Sequence, residues 1–293
     1  MSERRRFRVL IGYDGSECGD AAVADLEWAG LPAQTDITVM TVADVFLPAN
    51  EGDVSVAPLH PAQLQASIAR SRARAAAALE TAQSLAARAA ERIKASFPDW
   101  NVEPASCADS PAWALVKASD SWPADLVVVG ARGHGLAGGR LILGSVSQRV
   151  LYEARCSVRV ARSPEGGRGS RILVGFDGSV DSRCAVRAVA SRSWPGGTEA
   201  RVVTIVEPTL ETSDDDETES LIAAGLVVSR TVKEGRPTTV LLAEAESWRA
   251  DSIFVGTRGI GAVGRLLLGS VSSALAARAR CSVEVVRSHA ASR

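Results

Sequence analysis

Residues Gly256 to Ser270 read G-T-R-G-I-G-A-V-G-R-L-L-L-G-S. The stretch follows the apolar run Ser252-Ile253-Phe254-Val255, which predicts a buried strand, and precedes the alanine- and serine-rich Val271 to Arg278, which predicts a helix. A glycine-rich connection between a parallel strand and a helix N-terminus leaves backbone N–H groups unpaired, with no Cβ atoms in the way of an anion. Turn and cap chemistry would account for one such loop. A second copy changes the reading: Gly130 to Ser145 reads G-A-R-G-H-G-L-A-G-G-R-L-I-L-G-S, again after an apolar run, Leu126 to Val129. Turns alone do not require Arg, Gly, Leu and Gly-Ser to recur at matching places.

The repetition extends well beyond the loops. Val9-Leu10-Ile11-Gly12-Tyr13-Asp14-Gly15-Ser16 matches Leu173-Val174-Gly175-Phe176-Asp177-Gly178-Ser179. Trp122-Pro123-Ala124-Asp125 matches Trp248-Arg249-Ala250-Asp251, and Arg155-Cys156-Ser157-Val158 matches Arg280-Cys281-Ser282-Val283. The chain of 293 residues is therefore read as two copies of one domain, 7–162 and 171–287. Residues 163–170 (S-P-E-G-G-R-G-S) form a linker, and the nine residues from Arg162 span at most about 30 Å.

Within the first copy, apolar runs predict strands at Phe7–Tyr13, Ile37–Val42, Val102–Cys107, Leu126–Val129 and Ser157–Ala161. Helical spacing predicts helices at Cys18–Ala29, Ala62 to about Ala95, Pro111–Ser121 and Ser145 to about Ala154. Near-continuous apolar strands alternating with helices specify an α/β fold with an open parallel sheet covered on both faces. The second copy is shorter between its second and third strands, where Asp214 to Glu219 reads as a solvated loop or helix start.

Composition narrows the function. A net charge of −1 argues against nucleic acid or an acidic membrane as partner, and no apolar run is long enough to span a bilayer. The arginines of the long helix read as a solvated face. The tail carrying Arg4, Arg5, Arg6 and Arg8 lacks a following apolar segment, so a cytoplasmic protein is expected. Five cysteines without metal-ligand spacing read as buried free thiols. Both loops contain G-x-G-x-x-G (Gly133, Gly135, Gly138 and Gly259, Gly261, Gly264), but after the fourth strand rather than the first, which disfavours a dinucleotide site. Glu284 has a suggestive spacing for a ribose acid, yet it falls mid-strand and Arg159 occupies its place in the first copy. No Walker-type P-loop and no Ser–His–Asp pattern is present. Bound nucleotide is expected, hydrolytic machinery is not.

Gly256-x2-Gly259-x9-Gly269-Ser270 resembles the ATP-binding signature of the universal stress protein family, and the whole chain resembles its tandem form. The V-G-F-D-G-S start at Val174, the G-S-V-S segments at Gly144 and Gly269, and the terminal C-S-V-x-V strands support the likeness. The resemblance implies two flavodoxin-like (Rossmann-like) domains, each a five-stranded parallel sheet of order 3-2-1-4-5, with ligand at the switch point. It implies ATP, with Mg²⁺, as cofactor, and a regulatory or protective binding protein rather than a metabolic enzyme. Slow ATPase or autokinase activity, or a nucleotide-free scaffold, are the alternatives. In the second copy Gly175, Asp177, Ile205, Gly256, Arg258, Gly259, Gly261, Gly269 and Ser270 are the implied ligand contacts. In the first they are Gly12, Asp14, Val42, Gly130, Arg132, Gly133, Gly135, Gly144 and Ser145. Asp14 and Asp177 would face ribose or a phosphate-bound metal, and Val42 and Ile205 the adenine. Ten residues separate Gly133 from Gly144, where the family pattern and the second copy have nine, so the second site is the closer match. The resemblance also implies an internal pseudo-dimer through the last strands, and a homodimer of the whole chain.

Overall fold

The computed structural model describes residues 5–45, 61–132, 143–163, 171–206, 216–257 and 268–288. The first half runs β1 (Phe7–Gly12), α1 (Glu17–Ala24), β2 (Thr35–Ala43), α2 (Pro61–Ser96), β3 (Asn101–Ala108), α3 (Pro111–Ser121), β4 (Leu126–Gly130), α4 (Ser145–Glu153) and β5 (Ser157–Ala161). The second repeats the plan with β6 (Arg171–Phe176), α5 (Val180–Ala190), β7 (Glu199–Val206), α6 (Asp216–Ala223), β8 (Val227–Glu234), α7 (Pro237–Ser247), β9 (Ser252–Gly256), α8 (Ser270–Arg278) and β10 (Ser282–Val286).

Pairing is parallel within each half, and the strands form one ten-stranded sheet, β3-β2-β1-β4-β5-β10-β9-β6-β7-β8. The two halves join where β5 and β10 run antiparallel, with Arg159 opposite Glu284. Side chains alternate along each strand, so the sheet sorts them between two faces. Val9 and Ile11 of β1 pack with Ala22 and Val23 of α1 and with Ile93 of α2. Leu10, between them, faces Leu115 of α3 and Leu151 of α4. That second core continues without a break into Leu241, Ile253, Leu275 and Val285 of the other half. Leu151 and Leu275 are both fully buried, and burial of each stabilises the fold by about 1.5–3 kcal/mol.

The start of each half is fixed by one matched device. Asp125 accepts from the Arg8 N–H at 2.9 Å and donates its own N–H to the Arg8 carbonyl at 2.8 Å. Asp251 does the same with Arg171, at 2.7 and 2.8 Å. These aspartates, conspicuous in the sequence only as repeated letters, tie the strand before the glycine loop to the first strand of its half.

Two expectations need correction. The helix expected to Ala29 ends at Ala24 and tightens into a 3₁₀ turn at Asp25–Trp28. Asp25, just past the helix, turns its carboxylate inward to the Arg159 guanidinium, and Gly30, at φ +60°, reverses the chain. Of the five free thiols only Cys156 and Cys184 are buried, while Cys18, Cys107 and Cys281 are half-buried because they sit at element ends. The acidic run meets its reading as a helix start where it is described: Asp216 opens α6, and Asp214 and Asp215 lie outside the described residues. The arginines of α2 at 70, 72, 74, 88 and 92 are exposed, as a solvated face requires. No helix of the described residues is long and apolar enough to cross a membrane.

The second half carries a buried carboxylate where the first has alanine at Ala118. Buried Glu244 of α7 accepts from Arg201 at 2.7 Å and from Lys233 of β8, and Arg201 lies 4.3 Å over the Trp248 ring. Burial alone would raise the Glu244 pKa, but the hydrogen bonds and charges of Lys233 and Arg201 outweigh it and hold the carboxyl below its ordinary value. A carboxyl depressed in the folded state stabilises the fold above its unfolded pKa, about 4.3, and that contribution fades as pH falls through the lower folded value. Glu244→Gln should therefore melt below wild type at pH 7, with the gap closing towards pH 3. Thermal melts across that range check it, and a gap independent of pH would contradict it.

Candidate functional site

In each half the strand order reverses between the first and fourth strands, so their C-terminal ends open a crevice. Gly12 ends β1 beside Val129 of β4, and Asp14, Gly15 and Ser16 turn the chain into α1. The turn is built by Asp14, whose Oδ1 accepts the Ser16 N–H at 2.9 Å and the Ser16 hydroxyl at 2.6 Å. Ser16 in turn caps α1 through the Gly19 N–H at 3.1 Å. In the second half Asp177 Oδ1 accepts the Ser179 N–H at 3.0 Å, and Ser179 caps α5 through Ser182 at 3.1 Å. Gly15 and Gly178, at φ +76° and +77°, supply the left-handed residue that the turn demands.

The fourth strand meets this turn at contact distance. A Cβ on Gly130 would lie 2.3 Å from the Cys18 carbonyl oxygen, and one on Gly256 2.5 Å from the Asp181 carbonyl carbon. The first turn of α1 (and of α5) therefore rests directly on the end of β4 (and of β9). Beyond that contact the chain departs into 133–142 and 258–267. Arg258, Gly133, Gly135, Gly259 and Gly261 lie outside the described residues.

The return from each loop is described, and it refines the expected roles. The Gly144 N–H donates to the Ala131 carbonyl at 2.8 Å, and the Gly269 N–H to the Thr257 carbonyl at 2.7 Å. These two amides close the loops. The helices that follow begin at the glycines with no side-chain cap, in contrast to α1 and α5. Their first-turn amides, beginning with Ser145 and Ser270, have no acceptor within the helix. Ser147 and Ser272 pin the helices to the strand tips, each hydroxyl donating at 2.6 Å to the Gly130 or Gly256 carbonyl.

The structure thus brings together Gly12, Asp14, Gly130, Arg132, Gly144 and Ser145, and in the other half Gly175, Asp177, Gly256, Gly269 and Ser270. Val42 and Ile205 lie one strand away, near the ends of β2 and β7, and both are half-buried. Gly12 and Gly175 have a packing reason as well: a Cβ at either would press on Leu115 or on Val255 and Leu241. Glu284 is far from any ribose role, being fully buried against Arg159 and Arg192.

One pair escaped the sequence reading. In the second half the Thr257 hydroxyl donates to buried Asp181 at 2.6 Å, locking the first residue after β9 to α5. The matching residues of the first half are Cys18 and Ala131, and alanine has no donor. The signal available was that both positions change together between the copies. Two cavities of about 500 and 510 Å³ lie elsewhere, at the opposite ends of the strands. One is bounded by Arg249, Asp251, Arg278 and Arg280, the other by Trp113, Asp120, Glu153 and Arg155.

The sequence profile of the universal stress protein family matches residues 6–162 and 170–287. A universal stress protein of Mycolicibacterium smegmatis is 31% identical over 304 residues, covering 96% of this chain and 97% of its own. One of Mycobacterium tuberculosis is 29% identical over 309 residues, covering 97% and 98%. A crystal structure of a universal stress protein from Archaeoglobus fulgidus superposes with a TM-score of 0.64 at 23% identity, covering 96% of this chain and 98% of that one.

The contact at the strand tip predicts unequal penalties for adding a methyl group. Gly256→Ala drives a Cβ into backbone, while Gly12→Ala meets a movable leucine side chain. Gly256→Ala should cost about 1–3 kcal/mol of stability without any ligand, and Gly12→Ala less. Denaturant unfolding of the two variants measures the difference, and equal midpoints would contradict the contact.

Proposed function

The chain belongs to the universal stress protein family, and from that premise we propose that it binds ATP, with Mg²⁺, at the strand tips and acts as a stress-response regulatory binding protein. The observation that carries this reading is the pairing of an uncapped helix N-terminus with an aspartate turn around a single crevice, twice in one chain. Uncapped first-turn amides suit phosphate oxygens, and the helix dipole adds to the attraction. The residues present fit a nucleoside triphosphate. Ser145 and Ser270, with Arg132 and Arg258, would hold the phosphate chain, Asp14 and Asp177 the ribose or the metal, and Val42 and Ile205 the base. Bound there, the nucleotide supplies a triphosphate group, and the protein's contribution is to bind and position it.

The second half is the stronger site in this proposal. Its loop has the nine-residue spacing of the family pattern, and the Thr257–Asp181 bond fixes where the loop departs. In this reading residues 7–162 and 171–287 are two nucleotide-binding units of a cytoplasmic protein. They are held as an internal pseudo-dimer through β5 and β10, and whole chains pair further as homodimers.

Gly259→Glu places bulk and negative charge where the phosphates are proposed to lie. It should abolish ATP binding by the second half and leave the ligand-free melting temperature unchanged. Calorimetric titration of wild type and variant tests this, and equal affinities would contradict the proposal.

A further inference from the structure

The junction between the halves carries two kinds of contact. One kind is symmetric. The Arg162 guanidinium donates to the Ala276 carbonyl of α8 at 2.5 Å, and Arg287, its counterpart, to the Leu151 carbonyl of α4 at 2.7 Å. The Arg162 N–H meets the Ser282 hydroxyl at 2.9 Å and the Arg287 N–H meets Ser157 at 3.3 Å. Contacts of this kind would form equally well between two identical halves.

The other kind is not symmetric, and it occupies the centre. Val160 pairs with Val283, Arg159 with Glu284, and Val158 with Val285. By the repeat, Val158 corresponds to Val283 and Val160 to Val285, so the local two-fold axis passes through the Arg159–Glu284 pair itself. Both side chains are fully buried, with 3.5 Å between their nearest charged atoms. Asp25 grips Arg159 through two hydrogen bonds and also accepts from the Ser282 hydroxyl of the other half at 2.6 Å. Arg192 pairs with Glu284 and donates across the junction to the Ala29 carbonyl at 2.6 Å.

Size follows the same logic. Counting on from the matched Asp14 and Asp177, Asp25 corresponds to Ala188, Ala29 to Arg192, Gly30 to Ser193 and Leu31 to Trp194. The count holds without a gap, because Thr35 and Thr198 make the same hydroxyl bond, to Pro32 and to Pro195, at 2.6 and 2.7 Å. Arg192 of the second half thus meets Ala29 of the first, and Trp194 meets Gly30. Trp194 packs on Gly30, where even a Cβ would come within 2.5 Å of the indole ring.

We propose that this edge is selective by construction: β5 of the first half accepts only a strand bearing an acid at the place of Glu284, flanked by the Arg192–Trp194 segment. A first half paired with another first half would bury Arg159 against Arg159 and leave the space of Arg192 and Trp194 unfilled. A second half paired with its like would bury Glu284 against Glu284 and drive Trp194 onto Ser193. Asp25 would still accompany each Arg159, and Arg192 each Glu284, but like charges would meet on the axis with no countercharge from the opposite strand, and the fit of Trp194 to Gly30 would be lost. The β5–β10 edge therefore joins unlike halves only, and self-association of whole chains uses another surface.

The test begins with the folded chain carrying a protease site between residues 163 and 170 and two mass labels. After cleavage and exchange in mild denaturant, native mass spectrometry should find each first half with a second half and no like pairs. Like pairs as abundant as unlike ones would overturn the proposal. The uncut chain gives an independent readout. Glu284→Arg recreates the like-charge centre and should melt about 10 °C below Glu284→Gln. Equal melting temperatures would overturn the proposal whether or not the cut halves remain folded.

Discussion

Helix backbone touches strand backbone at Gly130 and at Gly256, and the rest of each half is arranged around that contact. A side chain at either glycine would hold α1 or α5 away from the end of the fourth strand. The aspartate turn and the glycine loop would then open onto different places. With glycine there, the Asp14 turn, the end of β4 and the first turn of α4 converge within one crevice. Ser147 and Ser272 complete the arrangement by anchoring the loop's returning helix to the same strand-end carbonyl. Among the described residues, the helix starts there carry no side-chain cap, which favours a ligand rich in negative oxygen.

The halves share this skeleton and differ in what fills it. Cys18 and Ala131 in one become Asp181 and Thr257 in the other, adding a buried hydrogen bond where the second loop departs. Ala118 of α3 corresponds to Glu244 of α7, which takes its countercharges from Arg201 and Lys233. At the junction the differences are complementary: acid against base, tryptophan against glycine. Changes that would destabilise a symmetric dimer become favourable once the two partners are unlike and tied into one chain.

Much of the architecture was legible because buried parallel strands announce themselves as apolar runs and because every element appears twice. Leu126–Val129 and Ser252–Val255 needed no structure to be read as strands. The glycine positions were legible too, but their reasons were divided. Gly130 and Gly256 answer to a helix resting on them, and Gly144 and Gly269 donate their amides to Ala131 and Thr257. Glu284 could not be read at all from spacing. Its partner, Arg159, lies more than a hundred residues away, and only the antiparallel meeting of β5 and β10 places them opposite each other. Asp25 was hidden for the same reason, since a carboxylate at a helix end ordinarily faces water.

The most direct test of the central claim is native mass spectrometry of the purified chain titrated with Mg-ATP, followed by analysis of whatever small molecule denaturation releases. Crevices built as described should yield mass increments of an adenine nucleotide, saturating at one or both halves, with the same nucleotide in the denatured extract. A chain that keeps its bare mass at saturating Mg-ATP and releases no nucleotide would contradict the account and leave the amides at Ser145 and Ser270 to water.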